Sequence, residues 1–273
     1  MNLDVTLGQY FEGNSFLHKM DPRAKLIVAI AYIVVLFLAK GVSAFLLVTL
    51  ITLGLVWISG VPLRTILKGL KPILFLVVFT GILNIFWYQG ETLLFEWRFV
   101  TVYLEGLVNA VLMALRITLL IAGSGVILTY TTTPIALTDG LERLLSPLKV
   151  IKLPVHEFSM MMTIALRFIP TLVEETHKIM NAQKARGVDF SSGSLVKRAK
   201  ALIPILVPLF ISSFRRADEL ATAMECRCYH GGEGRTRMTV RHLRFSDFAA
   251  VAGVVFIGVA VVLLNRYFPL FIV

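Results

Sequence analysis

Charge is scarce in this 273-residue chain. Asp, Glu, Lys and Arg make up 16% of it, against about 25% in an ordinary soluble domain. Hydrophobic residues reach 57% and the mean hydropathy is +0.80. Too little polar surface remains to face water all round, so the composition predicts an integral membrane protein and excludes disorder. Cysteine is nearly absent: Cys226 and Cys228 stand one residue apart, poor geometry for a bridge. A reduced, cytoplasmic setting follows. Acidic groups are missing from the interiors of the apolar runs, with Glu105 only at an edge. That argues against a proton-coupled secondary transporter, which usually needs such a group. No HExxH, GxSxG or P-loop pattern is present, and none of the corresponding enzyme classes is supported. The start of the chain is polar, with Asp4, Glu12 and Asp21, so no cleavable signal is expected.

What is abundant is apolar sequence in long runs. Leu26 to Gly60 carries one charge, Lys40. As one helix it would stretch about 52 Å against a hydrocarbon core of about 30 Å. It must fold back, and Lys40-Gly41 is the natural turn. Spans are therefore expected at about 24–39 and 42–60, then 72–89 from Pro72, then 104–129, and finally 247–271. Trp57, Trp87 and Trp97 fall near span ends, as interfacial aromatics do. The fold class expected is all-α, with about five transmembrane helices.

Basic residues set the orientation. Lys19, Arg23 and Lys25 precede the first span, and Arg64, Lys68 and Lys71 separate the second from the third. The opposite loops hold Lys40 and Arg98, the latter beside Glu91 and Glu96. The N-terminus is expected in the cytoplasm. The net charge of +10 records this bias; being spread through loops and helix ends, it does not suggest nucleic-acid binding.

Residues 131–245 hold 17 Lys+Arg and 10 Asp+Glu. They are too apolar for a linker and too charged for simple spans, and are read as a cytoplasmic or interfacial module between membrane parts at 1–130 and 246–273. Thr133-Pro134 opens one helix as N-cap and first residue, and Ser146-Pro147 closes it. A second helix is expected from Val155 to Lys184, with an i,i+4 pair Glu174–Lys178. A third runs from Leu195 to Cys228, bent at Pro204 and Pro208. Ala182 to Gly187 repeats at an offset of 41 as Ala223 to Cys228. Both copies end an amphipathic helix with an Arg between small residues.

These residues carry a resemblance to a known family. Gly8-Gln9-Tyr10, Leu17-His18 and Asp21-Pro22-Arg23 are similar to the opening of the T component, the transmembrane scaffold, of energy-coupling-factor (ECF) ABC transporters. Leu137 to Glu142, Leu166 to Thr171 and Phe214 to Glu219 resemble its cytoplasmic helices, and the loop from Gly231 to Arg237 is also similar. The family's two Ala-Arg-Gly-like triplets match Ala185-Arg186-Gly187 and, with cysteine at both small positions, Cys226-Arg227-Cys228.

The resemblance implies a multi-pass protein of the prokaryotic cell membrane with no catalysis of its own. It implies two ABC ATPase subunits as partners, the ATP and Mg being theirs. It further implies a small membrane S component that binds a vitamin or other micronutrient. Arg186 would dock one ATPase and Arg227 the other. A guanidinium suits such a contact because its planar fork clamps a carboxylate at two points. Taken without the family, either Arg also fits as a solvated cation at a helix C-terminus, where the dipole favours it. The apolar positions Met161, Ala165, Ile169, Leu206, Leu209 and Phe210 are expected to meet the S component.

Arg116 is the basic residue deepest in a span, and an intramembrane charge is a functional candidate by default. The plainer reading pairs it inside the bundle with Asn84 or Asn109. Cys226 and Cys228 read as small packing residues; a lone C-x-C with His230 does not make a metal site, and none is expected. Met160-Met161-Met162 suits core packing or an adaptable partner surface.

Overall fold

The computed structural model describes residues 10–87, 92–97, 100–151, 154–190, 192, 194–232 and 243–267. Gly8-Gln9, Glu91, Arg98, residues 233–237 of the glycine-rich loop and the far ends of the third and fifth expected spans lie outside them. The chain divides into two compact units, Met1–Leu144 with Val240–Val273, and Leu145–Thr239.

The first unit begins with one helical turn, α1 (Phe16–Lys19), and continues through α2 (Pro22–Leu38) and α3 (Val42–Ser59). Asp21 caps α2, its carboxylate accepting the Arg23 N–H at 2.9 Å, with proline in the first turn where a missing donor is harmless. Gly41 starts α3, so the fold-back lies where the charge and glycine predict it. The third apolar helix departs from expectation. It starts at Leu63 as α4 (Leu63–Leu70), passes through a 3₁₀ turn at Lys71–Ile73, and continues as α5 (Leu74–Trp87). Pro72 sits in that turn instead of opening the span. A hairpin that the composition did not announce, β1 (Leu93–Trp97) with β2 (Val100–Tyr103), then leads into α6 (Leu104–Ser124). The helix loosens into a π turn at Gly125–Thr129. Then come α7 (Pro134–Leu145), whose Ala136 N–H is capped by Thr133 Oγ1 at 3.3 Å, and, after the second unit, α10 (Phe245–Tyr267).

Four helices among the described residues are long and apolar enough to cross a membrane: Val42–Ser59, Leu63–Trp87, Leu104–Thr129 and Phe245–Tyr267. The helix at the first expected span, α2, has 17 residues, the lower limit for crossing. It is the centre of the unit all the same. Its Val28, Ala29, Tyr32, Val35 and Leu36 are buried among α3, α6 and α10. The Tyr32 hydroxyl lies 2.8 Å from Thr52 Oγ1 and donates to the Leu119 carbonyl at 2.9 Å. Its ring fills the space a side chain at Gly123 would need: a Cβ there would lie 2.4 Å from the ring.

Polar groups lock both ends of α2. Lys25, read from the sequence as a loop cation, is 1% exposed. Its Nζ donates to the Thr131 carbonyl at 2.8 Å and to Thr132 Oγ1 at 3.0 Å. Asp247, 2% exposed, accepts from the Asp21 N–H at 3.2 Å and the Arg244 N–H at 2.8 Å. At the other end, Asn265 Nδ2 donates to the Leu38 carbonyl at 2.7 Å. Arg116 donates to the Ala39 carbonyl at 2.9 Å and lies 5.1 Å from the Phe45 ring. The expected partners of Arg116 bond elsewhere: Asn109 donates to Asn84 at 3.4 Å. A guanidinium inside a span is thus held by helix-end carbonyl and aromatic face, both of which accept positive charge.

Candidate coupling helices

The second unit is dominated by α8 (Val155–Ala185) and α9 (Leu195–Glu225), each 31 residues long. Both follow from the sequence. Apolar residues recur at helical spacing, and Ser194 caps α9 by accepting the Lys197 N–H at 3.4 Å. The helices pack together. Glu175 of α8 accepts a 3.0 Å bond from Arg216 of α9, and Ser212 donates to the same carboxylate. The Arg216 guanidinium also lies 5.8 Å from the Phe168 ring. No ion pair joins Glu174 and Lys178 among the described residues; the acid that is engaged is its neighbour, Glu175. Pro208 has no N–H to give the Pro204 carbonyl four residues back. Gln183 of α8 donates to that carbonyl at 3.5 Å.

The two triplets end their helices in the same way. Ala185 is the last residue of α8. Beyond it, the Gly187 N–H bonds the Lys184 carbonyl at 2.9 Å and the Val188 N–H bonds Gln183 at 3.0 Å. After α9, which stops at Glu225 and not at Cys228, the Cys228 N–H bonds Glu225 at 2.9 Å and the Tyr229 N–H bonds Met224 at 3.1 Å. Each is a Schellman-type cap, which needs a residue in the left-handed region. Gly187 supplies it at φ 86° and Cys228 at φ 55°. The offset of 41 is therefore a repeat in structure as well as in sequence. Ala185, Arg186, Gly187, Cys226, Arg227 and Cys228 are all exposed, and both cysteines are free thiols.

The apolar positions fall on the outer surface of this unit: Met161 is 58% exposed, Leu206 58% and Phe210 65%. Ala165 is exposed, while Ile169 and Leu209 are half-buried. Phe158, Met162, Val207 and Phe214 extend the exposed apolar surface, an area larger than a water-facing helix pair leaves open without a partner. Reading the sequence missed Glu175, Arg216 and Gln183 as links between the helices. The repeat itself held the signal for the first two, since they too are 41 residues apart.

A family model described as "Cobalt transport protein" (CbiQ) matches residues 13–238. The energy-coupling factor transporter transmembrane protein EcfT of Ruminiclostridium cellulolyticum is 56% identical over 265 residues, covering 97% of this chain and 98% of that one. The chain belongs to this family. The EcfT of Clostridium kluyveri is likewise 56% identical, over 248 residues, covering 90% of this chain and 92% of its own length. That of Bacillus subtilis is 51% identical over 233 residues, covering 85% and 88%. The relatives are named as transmembrane components of ECF transporters, and the apolar helices fit a membrane protein. The matching caps of α8 and α9 are the repeated feature of this chain.

Proposed function

We propose that this chain is the non-catalytic scaffold of an ECF-type ABC importer for vitamins or other micronutrients. It joins two cytoplasmic ATPases, which hold the ATP and Mg, to a small membrane S component that holds the substrate. The observation that carries this reading is the pair of equivalent helix ends. Each exposes an arginine beside a left-handed cap, a shape that lets a guanidinium enter a groove while the backbone approaches closely. Arg186 takes one ATPase and Arg227 the other. The exposed apolar surface around Met161, Ala165, Ile169, Leu206, Leu209 and Phe210 receives the S component. The N-terminus is cytoplasmic, by the basic residues that flank α1 and α4.

Co-purification tests this. Arg186→Ala or Arg227→Ala alone weakens assembly, because the other end still holds its ATPase. The double variant releases both ATPases and abolishes ATP-driven uptake while inserting normally. Truncating a buried charged contact costs about 2–5 kcal/mol, enough to lose a complex during purification. Arg→Lys rescues in part, keeping the charge without the fork. Full ATPase retention and normal uptake in the double variant would remove both arginines from the mechanism. A chain that purifies alone and transports unaided would favour a self-sufficient transporter.

A further inference from the structure

A cavity of about 190 Å³ lies in the membrane unit between α2, α3 and α10. Its walls follow the helices, from Val28 to Val35 on α2, Val48 to Ile58 on α3 and Ala250 to Ile257 on α10. Wall positions recur every three or four residues along one side of each helix, so the cavity is a slot parallel to the helix axes. At 1.5 Å per residue it runs for roughly 10–15 Å. Every lining side chain is apolar except Tyr32, whose hydroxyl already serves Thr52 and Leu119. Water has no side-chain partner there, and a dry apolar cavity takes an apolar guest.

The two ends of the slot differ. Val35 and Val48 are buried at one end; at the other, Phe16 (47% exposed) and Ile58 (50%) reach the surface beside the buried Leu17, Met20 and Val28 and mark the mouth. Exposed cations stand close to that mouth along the chain, among exposed apolar side chains such as Trp57, Leu63 and Leu67. Lys19 shares α1 with Phe16, and Arg64 and Lys68 on α4 follow closely after Ile58. We propose that the slot holds one acyl chain of an anionic phospholipid, with its headgroup at the level of Lys19. The narrow length suits a linear chain, the lining is hydrocarbon-like, and cations at a leaflet surface attract anionic lipid. Room remains on the α10 wall: a Cβ at Gly253 would meet nothing within 4 Å. This site is independent of the ATPase-docking reading, and its test needs neither ATPase nor S component.

The full-length chain, purified in mild detergent and delipidated, is titrated with dioleoyl phosphatidylglycerol or dioleoyl phosphatidylcholine. Native mass spectrometry counts bound lipid, and thermal unfolding reports its effect. Wild type is expected to retain one phosphatidylglycerol and to unfold several degrees higher with it, less so with phosphatidylcholine. Gly253→Leu fills the slot and should lose the bound lipid at least tenfold, together with the thermal response. Val254→Phe, on the same wall, carries the test if the first variant does not fold. Lys19→Glu should keep a lipid but erase the preference for phosphatidylglycerol. Equal lipid retention in wild type and the filled variants would overturn the proposal, as would a wild type with neither adduct nor shift. An unchanged preference in Lys19→Glu would overturn the headgroup placement.

Discussion

Glu175 and Arg216, bonded at 3.0 Å, stand at the same distance before the caps at Gly187 and Cys228 in two helices of equal length, 41 residues apart. The contact thus joins equivalent positions of the repeat. The neighbouring contacts agree: Gln183 meets Pro204 and Glu175 meets Ser212, so numbers rise along one helix as they fall along the other, as in an antiparallel pair.

A double-mutant cycle measures this contact. Both side chains are about a quarter exposed, which limits an ion pair to about 1 kcal/mol of coupling. On the proposed scaffold function, Glu175→Gln and Arg216→Met are expected to lower uptake per ATP hydrolysed while both ATPases stay bound. The exchanged pair, Glu175→Arg with Arg216→Glu, should recover part of it. Independent, additive losses would show that the contact does not join the helices.

The left-handed caps differ in one atom set. A Cβ in that region costs roughly 1–2 kcal/mol, so Cys228→Gly should strengthen its helix end by about that much and Gly187→Ala should weaken the other. Amide hydrogen exchange across 183–188 and 224–229 reads both changes. No difference between the two substitutions would mean that the caps are not equivalent.

Close packing of Gly123 on Tyr32 gives a third test. Gly123→Ala places a methyl within the ring's volume, and overpacking of this kind costs typically 1–3 kcal/mol. Tyr32→Phe keeps the shape and loses the hydroxyl bonds, at about 1 kcal/mol. Thermal unfolding in detergent should rank Gly123→Ala as the worse of the two.

Arg116 supplies a fourth. Arg116→Leu leaves the buried Ala39 carbonyl without its guanidinium donor, for a loss of about 1–3 kcal/mol. Asn109→Leu, which spares that carbonyl, should leave the α2 end intact. If the first variant unfolds no earlier than wild type, Arg116 is not a structural clasp and its role lies with a partner.

How far the sequence could be read depended on the range of the interactions. Both long helices were legible to within a few residues, because helical periodicity and the repeated Arg between small residues at each end are local signals. So was the Lys40-Gly41 turn. The hairpin after α5 was hidden because Glu96 looked like an ordinary loop charge. Lys25 was misread for a different reason: Thr131 and Thr132, which accept its hydrogen bonds, arrive from more than a hundred residues away. Arg116 likewise bonds across 77 residues of chain, and no spacing rule points there. At the candidate site the arginines themselves were visible as a repeat. Their support was not, because Gln183 answers a carbonyl that is free only once Pro208 has entered a helix.

Pro170, Pro204 and Pro208 each remove a rung from their helix's hydrogen-bond ladder. Bending at a missing rung breaks nothing, whereas bending elsewhere breaks a bond. Beyond Pro170 and Pro208 the helices run without another proline, for about 23 and 26 Å, to the two arginine ends. Glu175 and Arg216 both sit on these uninterrupted stretches. In each helix the joints lie on the N-terminal side of the contact and the stiff arm on the C-terminal side. Because the pair is antiparallel, each arm runs back beside the other helix's joints, as Gln183 beside Pro204 shows. A displacement of either arginine end therefore bears on the prolines of its neighbour as well as its own.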